Sequence, residues 1–69
     1  MIDVNELKGR IIAQGYTQKE IASILKITDR GLRYRFKKGR FNNNEIEILI
    51  KVLQIKNPMD IFFTTKVAR

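Results

Sequence analysis

The chain carries a helix-start signal that recurs at intervals suited only to a set of short helices. Asp3 is followed three residues later by Glu6, with Ile2 and Leu7 flanking them. Thr17 and Glu20 repeat the pattern between Tyr16 and Ile21, and Asn42 and Glu45 repeat it between Phe41 and Ile46. Each is a capping box: the first side chain accepts from the backbone N–H three residues on, the acid reaches back, and the flanking apolar pair staples the entry. Thr28 lacks the acid but keeps its staple, Ile27 and Leu32. Asn57 precedes Pro58, a residue suited to the first helical position because its missing N–H has no partner there anyway.

The stop signals agree with the starts. Gly15 and Gly39 stand where the first and third helices end, and glycine supplies the left-handed residue that closes a helix. The pattern predicts helices near 4–14, 18–25, 29–38, 43–53 and 58–63. Apolar residues then fall on one face of each: Val4, Leu7 and Ile11; Ile21, Ala22 and Leu25; Leu32 and Phe36; Ile46, Leu49, Ile50 and Leu53. The expected fold is all-α, a compact five-helix bundle, with one domain over 1–63 and a flexible C-terminal tail at 64–69.

Composition narrows the chemistry. The chain has no cysteine and no histidine, so disulfides, thiolate metal sites, imidazole bases and thiol nucleophiles are all absent. An enzyme is not expected, nor a cofactor, a metal or a small-molecule substrate. No apolar run approaches a membrane span, and the acidic N-terminal stretch does not resemble a signal peptide. The expectation is a soluble cytoplasmic protein.

Charge is the informative quantity. The net charge is +7, from 14 basic and 7 acidic residues. Between Lys26 and Arg40 stand seven basic residues (Lys26, Arg30, Arg33, Arg35, Lys37, Lys38 and Arg40) against the single acid Asp29, a local +6. Such concentration is the electrostatic footprint of a polyanion binder. Projected at about 100° per residue, the third helix buries Leu32 and Phe36 and turns Arg30, Tyr34 and Lys37 to the opposite side, with Arg33 and Lys38 at the edges. Arg35 falls beside the buried stripe, where its head can pair with Glu45 or Glu47. The short Lys26-Ile27-Thr28 connection suits two helices crossing steeply, and the small Ala22 admits a close approach.

The stretch Thr17-Gln18-Lys19-Glu20-Ile21-Ala22, followed by Leu25, Ile27-Thr28, Leu32, Phe36 and Gly39, resembles the lambda-repressor-like (Cro/repressor) helix-turn-helix family. It looks most like the small Cro-like or repression-modulating proteins of temperate phages. The resemblance implies double-stranded DNA as partner, with the third helix in the major groove. By position it implies base reading by Asp29, Arg30, Arg33 and Tyr34, and phosphate contact by Gln18, Lys19, Lys37, Lys38, Arg40 and Asn43. Three residues depart from the usual pattern: Lys26 at a turn position often held by glycine, Gly31 inside the reading helix, and Asp29 among phosphates. Gly31 is read either as close backbone approach, to DNA or to the second helix, or as tolerated strain.

The C-terminal Met59, Ile61, Phe62, Phe63 and Val67 are more apolar groups than an end segment buries on itself. They are read as a partner interface, for a homodimer or for a complex with a repressor encoded nearby. Two functions are therefore in view: a Cro-like regulator binding operator DNA, and a modulator or antirepressor that captures a phage repressor. RNA binding through the basic face is the weakest reading, since no stacking sheet or glycine clamp is visible.

Overall fold

In the computed structural model, which describes residues 2–62, five helices follow one another with no strand among the described residues. They are α1 (Val4–Ala13), α2 (Gln18–Leu25), α3 (Asp29–Lys38), α4 (Asn43–Val52) and α5 (Pro58–Phe62). Their starts are the capping residues expected from sequence. Thr17 accepts from the Glu20 N–H at 3.1 Å while Glu20 accepts from the Thr17 N–H at 2.9 Å. Asn42 and Glu45 make the same reciprocal pair at 2.8 and 3.1 Å. The first box is only half made. Asp3 accepts from the Glu6 N–H at 3.1 Å, but the Glu6 carboxylate turns along the helix to Arg10, 3.0 Å away. An i,i+4 ion pair competes for the same acid and holds it there.

Four helices end the same way. Gly15, Lys26, Gly39 and Gln54 all adopt positive φ, at 83°, 61°, 67° and 53°. After each, the next N–H donates back five residues: Tyr16 to Ile11, Ile27 to Ala22, Arg40 to Arg35, and Ile55 to Ile50, at 3.0, 2.9, 3.2 and 3.0 Å. This is the Schellman closure, which satisfies the carbonyls a helix end would otherwise leave open. Two of the four are glycines that the sequence marks plainly. The other two are side-chain-bearing residues held in a conformation that costs an L-residue on the order of 1 kcal/mol.

The core gathers one face from every helix. Leu7 and Ile11, Ile21, Ala22 and Leu25, Leu32 and Phe36, Ile46, Leu49 and Leu53 are all buried. Val4 and Ile50, expected in the core, are half-buried and pack against its margin. Ile2 and Ile55 join the core from the connecting segments.

For two residues of the C-terminal interface expected from sequence, Ile61 and Phe62, the burial of α5 is a correction. Ile61 and Phe62 are 1% and 2% exposed, so they close the core. The reason is tertiary. The Asp3 N–H donates to the Ile61 carbonyl at 2.7 Å, and this bond clamps α5 against the entry to α1. Met59 is exposed, and Phe63 and Val67, with the tail at 64–69, lie outside the described residues.

Candidate nucleic-acid interface

The basic segment is organised by the way α3 is seated. Thr28 caps it, its Oγ1 accepting from the Gly31 N–H at 2.9 Å, and Asp29 in the first turn complements the positive end of the helix dipole. Leu32 and Phe36 form the inward seam, with Phe41 edge-on to Phe36 at 5.9 Å between ring centroids. Beneath it lies α2, whose inward residue Ala22 is 1% exposed and has no bulk to hold the helices apart. Lys26 takes the left-handed conformation (φ 61°, ψ 41°) that turns the chain sharply between the two helices.

With the seam inward, the rest of α3 faces solvent. Asp29, Arg30, Arg33, Tyr34, Lys37 and Lys38 are all exposed, as are Gln18, Lys19, Arg40 and Asn43, while Gly31 and Arg35 are half-buried. The two edges of this surface are distinct. On one, Gln18 of α2 meets Asp29, Leu32 and Arg33 around a shallow depression of about 70 Å³. On the other, Tyr34, Arg35, Lys38 and Arg40 line a cleft of about 380 Å³. Lys38 and Arg40 also line an adjoining groove of about 490 Å³ together with Asn43, Ile2 and Phe62. Arg30, Tyr34 and Lys37 project between the edges.

The structure therefore brings together nearly all of the expected contact residues. Gln18 sits beside the start of α3, and Lys38, Arg40 and Asn43 follow one another around its end. Lys19, Arg30 and Lys37 are exposed but line none of these depressions.

The charge on this face is uncompensated. Of the seven basic residues from Lys26 to Arg40, Arg35 alone forms an ion pair among the described residues. Its partner is Glu45, the first of the two acids named from sequence, at 3.0 Å. Lys38 holds its ammonium 5.7 Å from the Tyr34 ring centroid, a cation–π geometry that orders both side chains on the surface.

Gly31 receives a specific explanation. A Cβ there would stand 3.2 Å from Thr28 Oγ1, 3.3 Å from an Arg35 terminal nitrogen and 3.7 Å from Ile27 Cβ. The space beside Gly31 is thus taken by the Arg35 guanidinium, which also donates to the Gly31 carbonyl at 3.1 Å. The glycine does not serve an approach to α2.

Two features of the site were not anticipated. Arg35 lines the cleft as well as pairing with Glu45; the signal available was a glycine four residues before an arginine on the same helical edge. Lys8 of α1 lies over the Phe36 ring at 5.1 Å, bracing the seam from a helix remote in sequence. No known family model, curated protein or solved structure matches the chain.

Proposed function

We propose that this chain is a small DNA-binding transcriptional regulator of the Cro-like kind, in which α2 and α3 act as a helix-turn-helix and α3 enters the major groove. The supporting observation is the outward face of α3: Arg30, Arg33, Tyr34 and Lys37 stand opposite a buried Leu32/Phe36 seam. A ten-residue helix is about 15 Å long and about 10–12 Å across with its side chains, and the major groove, about 12 Å wide, admits one such helix. Arg30 and Arg33 read guanine edges through bidentate hydrogen bonds, and Asp29 accepts from a cytosine amino group. Tyr34 meets the base edges between them. Gln18, Lys19, Lys37, Lys38, Arg40 and Asn43 hold phosphates, which fixes register without reading sequence. One such surface reads about one half-site, so useful discrimination requires a two-fold partner, a second copy of the chain or a related regulator.

The modulator reading draws on the apolar C-terminal segment and on Gly31 and Asp29 in the reading helix. Burial of Ile61 and Phe62 in the core removes two of the five apolar residues it relies on.

The test is equilibrium binding of labelled duplexes, selected from a random pool, across a salt series. The four cationic phosphate holders, Lys19, Lys37, Lys38 and Arg40, give an expected slope of about −4 per protomer in log K against log salt. A flat salt response, or no binding at about 50 mM salt, overturns the reading.

A further inference from the structure

The end of α3 carries an arrangement that general basicity does not require. The Arg35 side chain is spent first on the protein. Its Nε donates to both carboxylate oxygens of Glu45, at 3.0 and 3.1 Å, and one Nη1 N–H donates to the Gly31 carbonyl at 3.1 Å. Two rigid attachments fix the plane of the guanidinium. Its remaining N–H groups have no protein partner among the described residues, and Arg35 lines the cleft of about 380 Å³. Lys38 and Arg40 border the same opening, together with Tyr34, and no acid does. Glu45, the acid that neutralises Arg35, is 6% exposed and directs Oε1 inward to the Asn42 N–H at 3.1 Å.

From this geometry, and resting on the DNA-binding reading above, we infer that Arg35, Lys38 and Arg40, at the opening that Tyr34 borders, form a seat for one particular phosphodiester of the DNA backbone, with Arg35 as its pre-oriented member. Three cations approach the opening from the helix and from the loop after it. That disposition suits a tetrahedral anion that accepts from several directions. The carbonyls of the last turn of α3 disfavour an anion there, and Lys38 and Arg40 offset them. Most lysine contacts to DNA are adaptable and sense the backbone as a line of charge. A guanidinium held on two sides senses one position, because its donors cannot follow a displaced phosphate without breaking the bond to Glu45 or to Gly31. Gly31 belongs to the device, since a methyl group at that position meets the Arg35 nitrogen and Thr28 Oγ1.

The experiment is a phosphate-neutralisation scan. A duplex bound by the wild-type protein is resynthesised with a single methylphosphonate at each backbone position in turn, and affinity is measured for the wild type, Gly31→Ala, Arg35→Lys and Arg40→Ala. One position per half-site is expected to cost the wild type roughly tenfold, the scale of a charge-assisted hydrogen bond. At that same position the cost is expected to fall below about threefold in all three variants. Gly31→Ala is the decisive variant because it changes no charge and replaces glycine by a better helix former. Its thermal melt is expected within about 5 °C of the wild type, so a changed scan reports the moved guanidinium and not a lost fold. If the variants bind the duplex and reproduce the wild-type scan, Arg35 has no seat and the inference is wrong while the DNA reading stands. If the wild type fails to bind any duplex, the DNA reading falls and the seat with it. Equal losses at every phosphate would show an undifferentiated basic patch, which also overturns the seat.

Discussion

Arg35 and Glu45 join the basic helix to the helix that follows it, through a bifurcated contact from one Nε to both carboxylate oxygens at 3.0 and 3.1 Å. The same carboxylate completes the capping box at the start of α4, and the same guanidinium accounts for the glycine in α3. One ion pair thus links the end of α3, the cap of α4 and the cleft between them.

Glu45→Ala removes the acceptor for Arg35 and for the Asn42 N–H together. Breaking a buried pair from one side costs several kcal/mol, but the Arg35 side chain is 28% exposed and recovers part of its hydration. A loss of about 1–3 kcal/mol is expected, read as a lower urea midpoint. Glu45→Gln keeps one acceptor oxygen and is expected to lose less. Identical midpoints for wild type and Glu45→Ala would show the contact to be energetically idle.

Phe36→Ala is expected to cost roughly 3–5 kcal/mol, the range for an aromatic removed from a core. Phe36 touches the core, Phe41 and the Lys8 ammonium, so no neighbour can collapse into the void without breaking another contact. For so small a domain this is most of the available stability. Far-UV circular dichroism decides it, and an unchanged melt would place the seam of α3 elsewhere.

Lys26→Gly is expected to stabilise the chain by up to about 1 kcal/mol. Lys26 sits at φ 61° and ψ 41°, where a Cβ is strained and glycine is not. Glycine also gains freedom in the unfolded chain, which trims the benefit. A drop in the melting temperature would mean that the lysine side chain contributes more than its backbone strain removes.

Arg30→Ala and Arg33→Ala are each expected to narrow the gap between the selected duplex and random DNA by about 1–3 kcal/mol, the scale of one bidentate hydrogen-bonded pair to a base edge. Lys38→Ala and Arg40→Ala are expected to weaken both ligands alike and to flatten the salt slope by about one unit each. Competition titrations at two salt concentrations separate the pairs. Four indistinguishable variants would remove the distinction between reading and holding residues.

Ile61→Ala is expected to cost about 2–5 kcal/mol, as for a core aliphatic, whereas Met59→Ala changes stability by less than about 0.5 kcal/mol. The two residues sit in one short helix, 1% and 65% exposed. Chemical denaturation of both variants tests the assignment of α5 to the core, and equal effects would contradict it.

Local physics made most of the fold legible in advance. Thr17, Thr28 and Asn42 start their helices because a side-chain oxygen three residues ahead of a free N–H satisfies it whatever lies elsewhere. Gly15 and Gly39 end theirs because only glycine takes left-handed backbone without strain. The outward Arg30, Tyr34 and Lys37 followed from helical periodicity alone. Glu6 satisfied the sequence rule for a capping box, yet Arg10, one turn on in the same helix, captured it. Other features depended on which elements meet. Gln54 entered the left-handed region without any local signal, because burial of Leu53 and Ile55 on either side requires the chain to turn there. Ile61 and Phe62 could cover the core or offer themselves to a partner, and only the backbone bond from Asp3 to Ile61 decided between those uses. Local sequence determines where helices begin, end and carry charge, because caps and periodicity act within a few residues. The assignment of an apolar end to the core, and of Arg35 to Glu45, came from packing between segments distant in the chain.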